Sequence, residues 1–224
     1  MQSAQIVAVS EPRVVNDGGF VLSVDEFIAY VARVSNPSNQ NNHLTATKLL
    51  KYLAKHKHWS PFEMVHICME INTTRDIARQ ILRHRSFSFQ EFSQRYADPT
   101  KDMGFVAREA RLQDTKNRQN SIETSDEALQ QDWKYIQQNL IESAKTVYQW
   151  AIDNGIAKEQ ARAVLPEGLI LSRMYMAGSL RSWIHYAQVR SDVSTQKEHR
   201  EIAMMAWSEI LKEFPSLSEV IVDS

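Results

Sequence analysis

The residues Arg83-His84-Arg85-Ser86-Phe87-Ser88-Phe89-Gln90-Glu91-Phe92-Ser93-Gln94-Arg95-Tyr96 gather guanidinium groups, an imidazole, serine hydroxyls and a carboxylate among aromatic rings. A guanidinium fork matches phosphate oxygens two at a time, and hydroxyls complete such a shell. The carboxylate has a different use, because Glu91 can accept hydrogen bonds from a sugar hydroxyl, a base or an arginine that it holds in place. Folding a helix or a strand does not require this density of anion-binding groups. More arginines of the same chemistry, Arg162, Arg181 and Arg190, stand far downstream.

The elements that must position these side chains can be read from period and caps. Ile6 to Val9 fits a strand. Ser23-Val24-Asp25-Glu26 spells a capping box for a helix that Asn36-Pro37 stops, and Leu44, Leu49, Leu50 and Leu53 mark a second helix ending near His56. Met64 to Ile71 alternates, with Val65, Ile67, Met69 and Ile71 on one side and His66, Cys68 and Glu70 on the other, as a strand does. Thr73 or Thr74 can cap a helix running to about Arg85, on which Gln80, Arg83 and His84 share a face. Helix-end electrostatics alone could account for Arg79, Arg83, His84 and Arg85, but not for the hydroxyl-rich segment after them.

Residues 96–123 read as a mobile polar loop. Thr124-Ser125-Asp126-Glu127 then opens a long amphipathic helix in which Leu129, Trp133, Ile136, Leu140, Ala144, Val147 and Ala151 form a stripe expected to be core, with Gly155 ending it. Ala157 to Leu165 is a short helix carrying Arg162, and Leu169 to Ala177 a strand whose Arg173 suits an edge or interface. Ser179 caps a helix through about Val189 that puts Arg181, His185 and Gln188 on one face and Arg190 nearly opposite. If both sets bind ligand, they serve different sites or subunits. Thr195-Gln196-Lys197-Glu198 reads as another capping box, for a helix that Pro215 closes. The expected architecture is α+β: a central, mainly antiparallel twisted sheet flanked by helices, one domain over residues 1–224.

Composition narrows the partners. A formal net charge of −1 in 224 residues gives no electrostatic case for nucleic acid or membrane, and no apolar run reaches the ~18 residues of a span. Cys68 is the sole cysteine, so a disulfide within the chain and a Cys-rich zinc site are both excluded, which fits a reducing cytoplasm. Nothing beside Cys68 in the sequence would lower its pKa for nucleophilic work. His56-x-His58 lacks further ligands at a recognisable spacing, so no metal site is expected. The six glycines form neither a dinucleotide fingerprint nor a P-loop, and hydrolase, metalloprotease and kinase motifs are missing. Two classes remain: an enzyme that holds nucleotides by side chains, and a non-catalytic nucleotide or nucleic-acid binder using arginines and aromatics. The near-neutral charge weighs against the second.

Arg83-His84-Arg85-x-x-Ser88-x-Gln90-Glu91-x-Ser93-x-Arg95-Tyr96 resembles the signature of flavin-dependent thymidylate synthases. His56-x-His58-x-Ser60-Pro61-Phe62-Glu63, Ala161-Arg162-x-Val164-Leu165-Pro166 and Leu180-Arg181-Ser182 through Arg190-x-Asp192 extend the likeness over most of the chain. The resemblance implies reductive methylation of dUMP to dTMP, with methylenetetrahydrofolate as carbon donor, FAD as hydride carrier and NADPH as reductant, and without a cysteine nucleophile. It implies that Gln80, Ile81, Leu82, Arg83, Glu91, Phe92, Ser93, Gln94, Arg95, Arg162 and Arg190 meet dUMP, Arg190 activating it. It assigns Ser60, Arg83, His84, Arg85, Glu91, Ser179, Leu180, Arg181 and His185 to FAD. It also implies a homotetramer with sites shared between subunits, working in the cytoplasm, or in a host's cytoplasm if the source is viral. The chain departs from the pattern at Gln90, where the family usually has Asn, at Ser179, often Asn, and at Ser194, often His.

Overall fold

The computed structural model of the chain describes residues 2–220. In chain order the regular elements are β1 (Ser3–Val9), α1 (Val24–Ala32), α2 (Ala46–Lys55), β2 (His66–Thr74), α3 (Arg75–Ile81), β3 (Ser88–Glu91), α4 (Pro99–Asp102), β4 (Arg111–Gln113), β5 (Ser121–Glu123), α5 (Glu127–Asp153), α6 (Lys158–Ala161), β6 (Leu171–Ser179), α7 (Leu180–Arg190) and α8 (Lys197–Glu213), joined in places by 3-10 turns. Four strands form one antiparallel sheet in the order β1-β2-β6-β3. The architecture is α+β, as the sequence predicts.

Alternation in the two central strands makes the sheet one-sided. Ile67, Met69 and Ile71 of β2 and Met174 and Met176 of β6 are buried against helices, and Met69 faces Met176 across the ladder. On the other side Cys68, Glu70, Asn72, Arg173 and Tyr175 form a polar surface, where Tyr175 donates to Glu70 at 2.9 Å and Arg173 to Asn72 at 2.9 Å. Arg173 therefore lies on a central strand rather than at an edge. Cys68 is half-buried, and burial pushes its thiol pKa up.

Caps work as the spelling suggests in two cases. Ser23 and Glu26 close a reciprocal capping box on α1, and Ser179 accepts from the Ser182 N–H at the start of α7. Two other expectations fail. The helix expected to run to about Arg85 has Thr74 as its N-cap, without a side-chain bond, and is regular only to Ile81, with Leu82 as its C-cap, because the chain must turn to deliver β3 to the sheet. At Thr195 the predicted capping box is absent: Gln196 is the N-cap of α8, without a side-chain bond, while Thr195 donates to the Val189 carbonyl.

Residues 96–123 are not a featureless loop. They hold α4 and the β4–β5 hairpin, tied to the N-terminus of α8 by Arg111–Glu198 at 2.5 Å and by Lys197 to Glu109 and Glu123 at 2.8 and 2.6 Å.

The largest correction concerns α5. Of the stripe expected to be core, only Ala144 and Ala151 are buried; Trp133 is 42% exposed, Ile136 56% and Leu140 51%. The face that docks lies about a quarter turn away, given ~100° per residue. It carries Gln130, Gln137, Ile141, Ala144, Tyr148 and Ala151. Gln130 and Gln137 each clamp an extended residue by both its main-chain groups: Ala110 at 2.8 and 2.9 Å, and Arg108 at 2.9 and 2.8 Å. Side-chain amides thus replace a strand pairing, so a polar face turns inward and the apolar stripe beside it is left outside.

Candidate active site

The Arg83–Tyr96 stretch runs from the end of α3 through a tight turn into β3. The turn is held by Phe87, whose ring packs edge-on to Trp183 at 4.9 Å. Its neighbour must be glycine: a Cβ on Gly178 would stand 2.5 Å from the Phe87 ring. This packing drives the chain back toward α7, and His84 meets the last residue of that helix.

There the Arg190 Nε–H donates to His84 Nε2 at 2.9 Å. His84 is half-buried with its ring edge-on to Tyr186 at 4.9 Å. Burial first, then the nearby charges of Arg190, His185 and Arg83, lower its pKa to about 4. The ring is neutral at ordinary pH and accepts through Nε2, so its proton sits on Nδ1. Arg190 is thereby anchored through Nε, and no hydrogen bond or ion pair of its Nη groups is made to another of the described residues.

Behind this pair His199 is fully buried, with its pKa lowered to about 3 by burial and by the charges of Arg190 and His84. It meets Gln80 at 3.2 Å and the Tyr186 hydroxyl at 3.2 Å. The sequence reading did not single it out, because a buried histidine on α8 shares its period with core residues.

A second group surrounds Arg162. A cleft is lined by Arg75, Arg79, Gln94, Arg162 and Glu167. Arg79 pairs with both Glu167 oxygens at 2.9 and 2.7 Å, and the Arg79 bond is the main reason the Glu167 carboxyl lies below its usual range. Arg75 is nearly buried and bonds Glu91 at 3.3 Å, while Ser172 donates to the same Glu91 oxygen at 2.8 Å. Glu91 is therefore already occupied in holding an arginine. Arg75 was missed in the sequence, although it stands one helical turn before Arg79; its signal was that i, i+4 spacing. Arg95 is exposed and pairs loosely with Glu159 at 3.4 Å, and Ser93 accepts from the Arg95 N–H at 3.4 Å.

A third group lies around the start of α7. Ser179 Oγ donates to Glu63 at 2.5 Å, and Arg181 pairs with the same carboxylate at 3.6 Å. Ser60 and His185 are exposed. Ser194 is tied to Asp192 at 2.5 Å, and Gln90 is exposed on β3.

Within one chain the candidate residues thus form separate groups. Gln80, His84 and Arg190 come together, as do Gln94, Arg162 and the Arg75–Glu91 pair, whereas Arg181 stays with Glu63. Ile81 and Leu180 have fully buried side chains and Phe92 is half-buried, with its N–H bonded to the Arg173 carbonyl at 2.8 Å. Ile81 and Leu180 could reach a ligand only through their main chain. Leu82 is half-buried beside exposed Arg83 and Arg85, and neither arginine has an ion-pair partner among the described residues.

Comparison with known proteins gives a consistent outcome. Residues 21–216 match the family model described as thymidylate synthase complementing protein. The chain is 48% identical over 217 residues to a flavin-dependent thymidylate synthase of Synechocystis, covering 97% of this chain and 98% of that one. It is 46% identical over 219 residues to a probable flavin-dependent thymidylate synthase of Paramecium bursaria Chlorella virus 1, covering 98% of each. Among solved structures, a UMP/dUMP methylase, PolB, from Streptomyces cacaoi bound with 5-Br dUMP superimposes with a TM-score of 0.77 at 24% identity, covering 99% of this chain and 96% of that chain. At that identity the likeness supports the fold.

Proposed function

The chain belongs to the thymidylate synthase complementing protein family, and from that premise we propose that it is a flavin-dependent thymidylate synthase over residues 1–224. The reaction is dUMP plus methylenetetrahydrofolate plus NADPH and a proton giving dTMP, tetrahydrofolate and NADP+. The observation that carries the chemistry is the Arg190–His84 pair: a guanidinium held through Nε and backed by a neutral ring.

A guanidinium at the edge of a uracil ring stabilises negative charge spread over that ring as the pyrimidine carbon becomes nucleophilic. His84 accepts from Nε and so keeps Arg190 in one orientation before substrate arrives, which removes a reorganisation cost from the step. Arg83, Arg162 and Arg95 bind the nucleotide phosphate, with Ser93 and the Gln94 region completing the shell. Glu91 keeps Arg75 in line and has lone pairs left for a sugar hydroxyl. Cys68 faces the polar side of the sheet with its thiolate disfavoured, in keeping with a route that needs no cysteine nucleophile.

The donor set also fits FAD. Arg83 and Arg85, without an ion-pair partner among the described residues, carry positive charge suited to a diphosphate, and Arg181 and His185 of α7 with Ser60 add donors. When bound, the flavin supplies the hydride. Ser179 and Ser194 are engaged with Glu63 and Asp192, so these two departures from the family pattern leave both hydroxyls as internal ties rather than reaching arms.

A homotetramer with shared sites is part of the proposal. Arg181 and Arg190 occupy opposite faces of α7, and the exposed apolar stripe of α5 is available for a second copy. No described helix is long and apolar enough to cross a membrane, and a cytoplasmic enzyme, of the cell or of a virus's host, suits the substrates.

The test is dTMP formation by purified protein with dUMP, methylenetetrahydrofolate, FAD and NADPH. Product that depends on all four supports the proposal; NADPH-independent or flavin-independent product, or none at all, overturns it.

A further inference from the structure

Gln80 is tied at both ends of its amide. Its Nε2 donates to Gln196 Oε1 at 2.8 Å, and Gln196 Nε2 donates to Glu198 Oε2 at 2.9 Å. At the other end Gln80 Oε1 lies 3.2 Å from His199 Nδ1, and His199 Nε2 lies 3.2 Å from the Tyr186 hydroxyl. The amide and imidazole orientations in such a row are settled only by a group whose role is fixed.

Glu198 is that group. It pairs with Arg111 at 2.5 Å, both side chains being largely buried. Burial works against its ionisation, but its own backbone N–H, the Gln196 amide and the charges of Arg108 and Arg111 outweigh it, so the carboxyl lies below its usual range. An ionised carboxylate can only accept. Gln196 must therefore present N–H to Glu198 and its carbonyl to Gln80. Gln80 must then present N–H to Gln196 and its carbonyl to His199. The His199 proton consequently sits on Nδ1, and Nε2 accepts from Tyr186. The Tyr186 hydroxyl is buried and burial raises its pKa, so it keeps the proton that it donates.

We propose that His199 is a positioning residue for the substrate nucleotide: through this one-directional row, running from Tyr186 to Glu198, it locks the amide of Gln80 in a single orientation. One N–H and one carbonyl lone pair of Gln80 remain, always in the same order, for dUMP. A free amide would present its two ends in either order and would lose that preference on each binding event. The hairpin strand β4 enters the same device, since Arg111 anchors its acidic end. This inference rests on the reading of Gln80 as a dUMP contact.

His199→Leu removes both bonds of the ring. His199→Asn keeps an N–H where Nδ1–H stood and loses the link to Tyr186. Steady-state dTMP formation should show the KM for dUMP raised about ten-fold in His199→Leu, the size of one lost hydrogen bond, with kcat within about two-fold, and largely restored in His199→Asn. In a Gln80→Ala background, His199→Leu should add nothing further. An unchanged KM in His199→Leu, or full additivity in the double variant, overturns the proposal. Should His199→Leu fail to fold, 15N NMR of histidine-labelled wild type decides independently. The ring signal lost in His199→Asn should be a neutral Nδ1–H tautomer that does not titrate between pH 5 and 8, taken as about the span around the usual histidine pKa; an Nε2–H tautomer or a titrating ring sinks the row. Wild-type protein that makes no dTMP refutes the enzymatic reading instead, and the NMR result still judges the orientation of Gln80.

Discussion

The candidate site has two halves built on different principles. Around Arg190, the partners are neutral: His199 and Tyr186 are buried, His84 and Gln80 half-buried, and each has a set direction of hydrogen bonding. Around Arg162, beside the nearly buried Arg75–Glu91 pair, the partners are charged and open: Arg79 with Glu167 and Arg95 with Glu159 form ion pairs with substantial exposure. Neutral, desolvated contacts keep geometry without ligand and are hardly screened. Exposed guanidinium–carboxylate pairs are each worth about 0–1 kcal/mol and exchange freely for a phosphate. One half is suited to the reacting ring and the other to capture of the anionic tail.

Arg190→Ala gives the sharpest test of that division and the largest effect. It should lower kcat for dTMP formation by about 100- to 1000-fold, the range for losing a preorganised donor at developing charge. A loss confined to KM would make the two halves alike. Arg162→Ala should raise the KM for dUMP by about ten-fold with little change in kcat, and the wild-type KM should climb steeply with salt because this half is exposed to screening. A salt-insensitive KM would break the comparison from the other side.

The third prediction follows from the histidines. His84 and His199 have folded pKa values of about 4 and about 3 against an ordinary 6.5. The unfolded chain takes up these protons first as pH falls. Their contribution to stability is whole above about 6.5 and is lost progressively as pH drops toward 4 and then 3. Thermal melts from pH 7 to 4 should show this decline, and His199→Asn should flatten it; an equally steep decline in that variant would contradict the buried, neutral state of the ring.

The smallest effect is expected on α5. Leu140→Gln should change the stability of the isolated chain by only about 0.5 kcal/mol, since the side chain is half exposed, yet light scattering should show weakened assembly. A large loss of chain stability would mean that the stripe is core after all.

Much of this could be read from residue order because the cause is local. The alternation of Ile67, Met69 and Ile71 is a property of strand geometry, and the Ser23–Glu26 box and the Ser179 cap need only neighbouring residues. The signature around Arg83 to Tyr96, with Arg162 and Arg190, carried the family likeness through residue type, and the family match over residues 21–216 bears that likeness out. Where distant partners decide the outcome, the reading went astray. Residues 96–123 became structured because Gln130 and Gln137 pair with their backbone and because Arg111 meets Glu198. Arg75 escaped notice because only the fold carries Glu91 and Ser172 to it.

By itself, then, the sequence determined many of the local elements and the family likeness, both of which depend on side-chain type and short spacing. The tertiary structure alone decided that Arg190 leans on His84, that His199 orders Gln80, and that α5 turns its glutamines inward. Each of these is a contact between residues far apart in the chain, where desolvation and hydrogen-bond direction, rather than period, choose the partner.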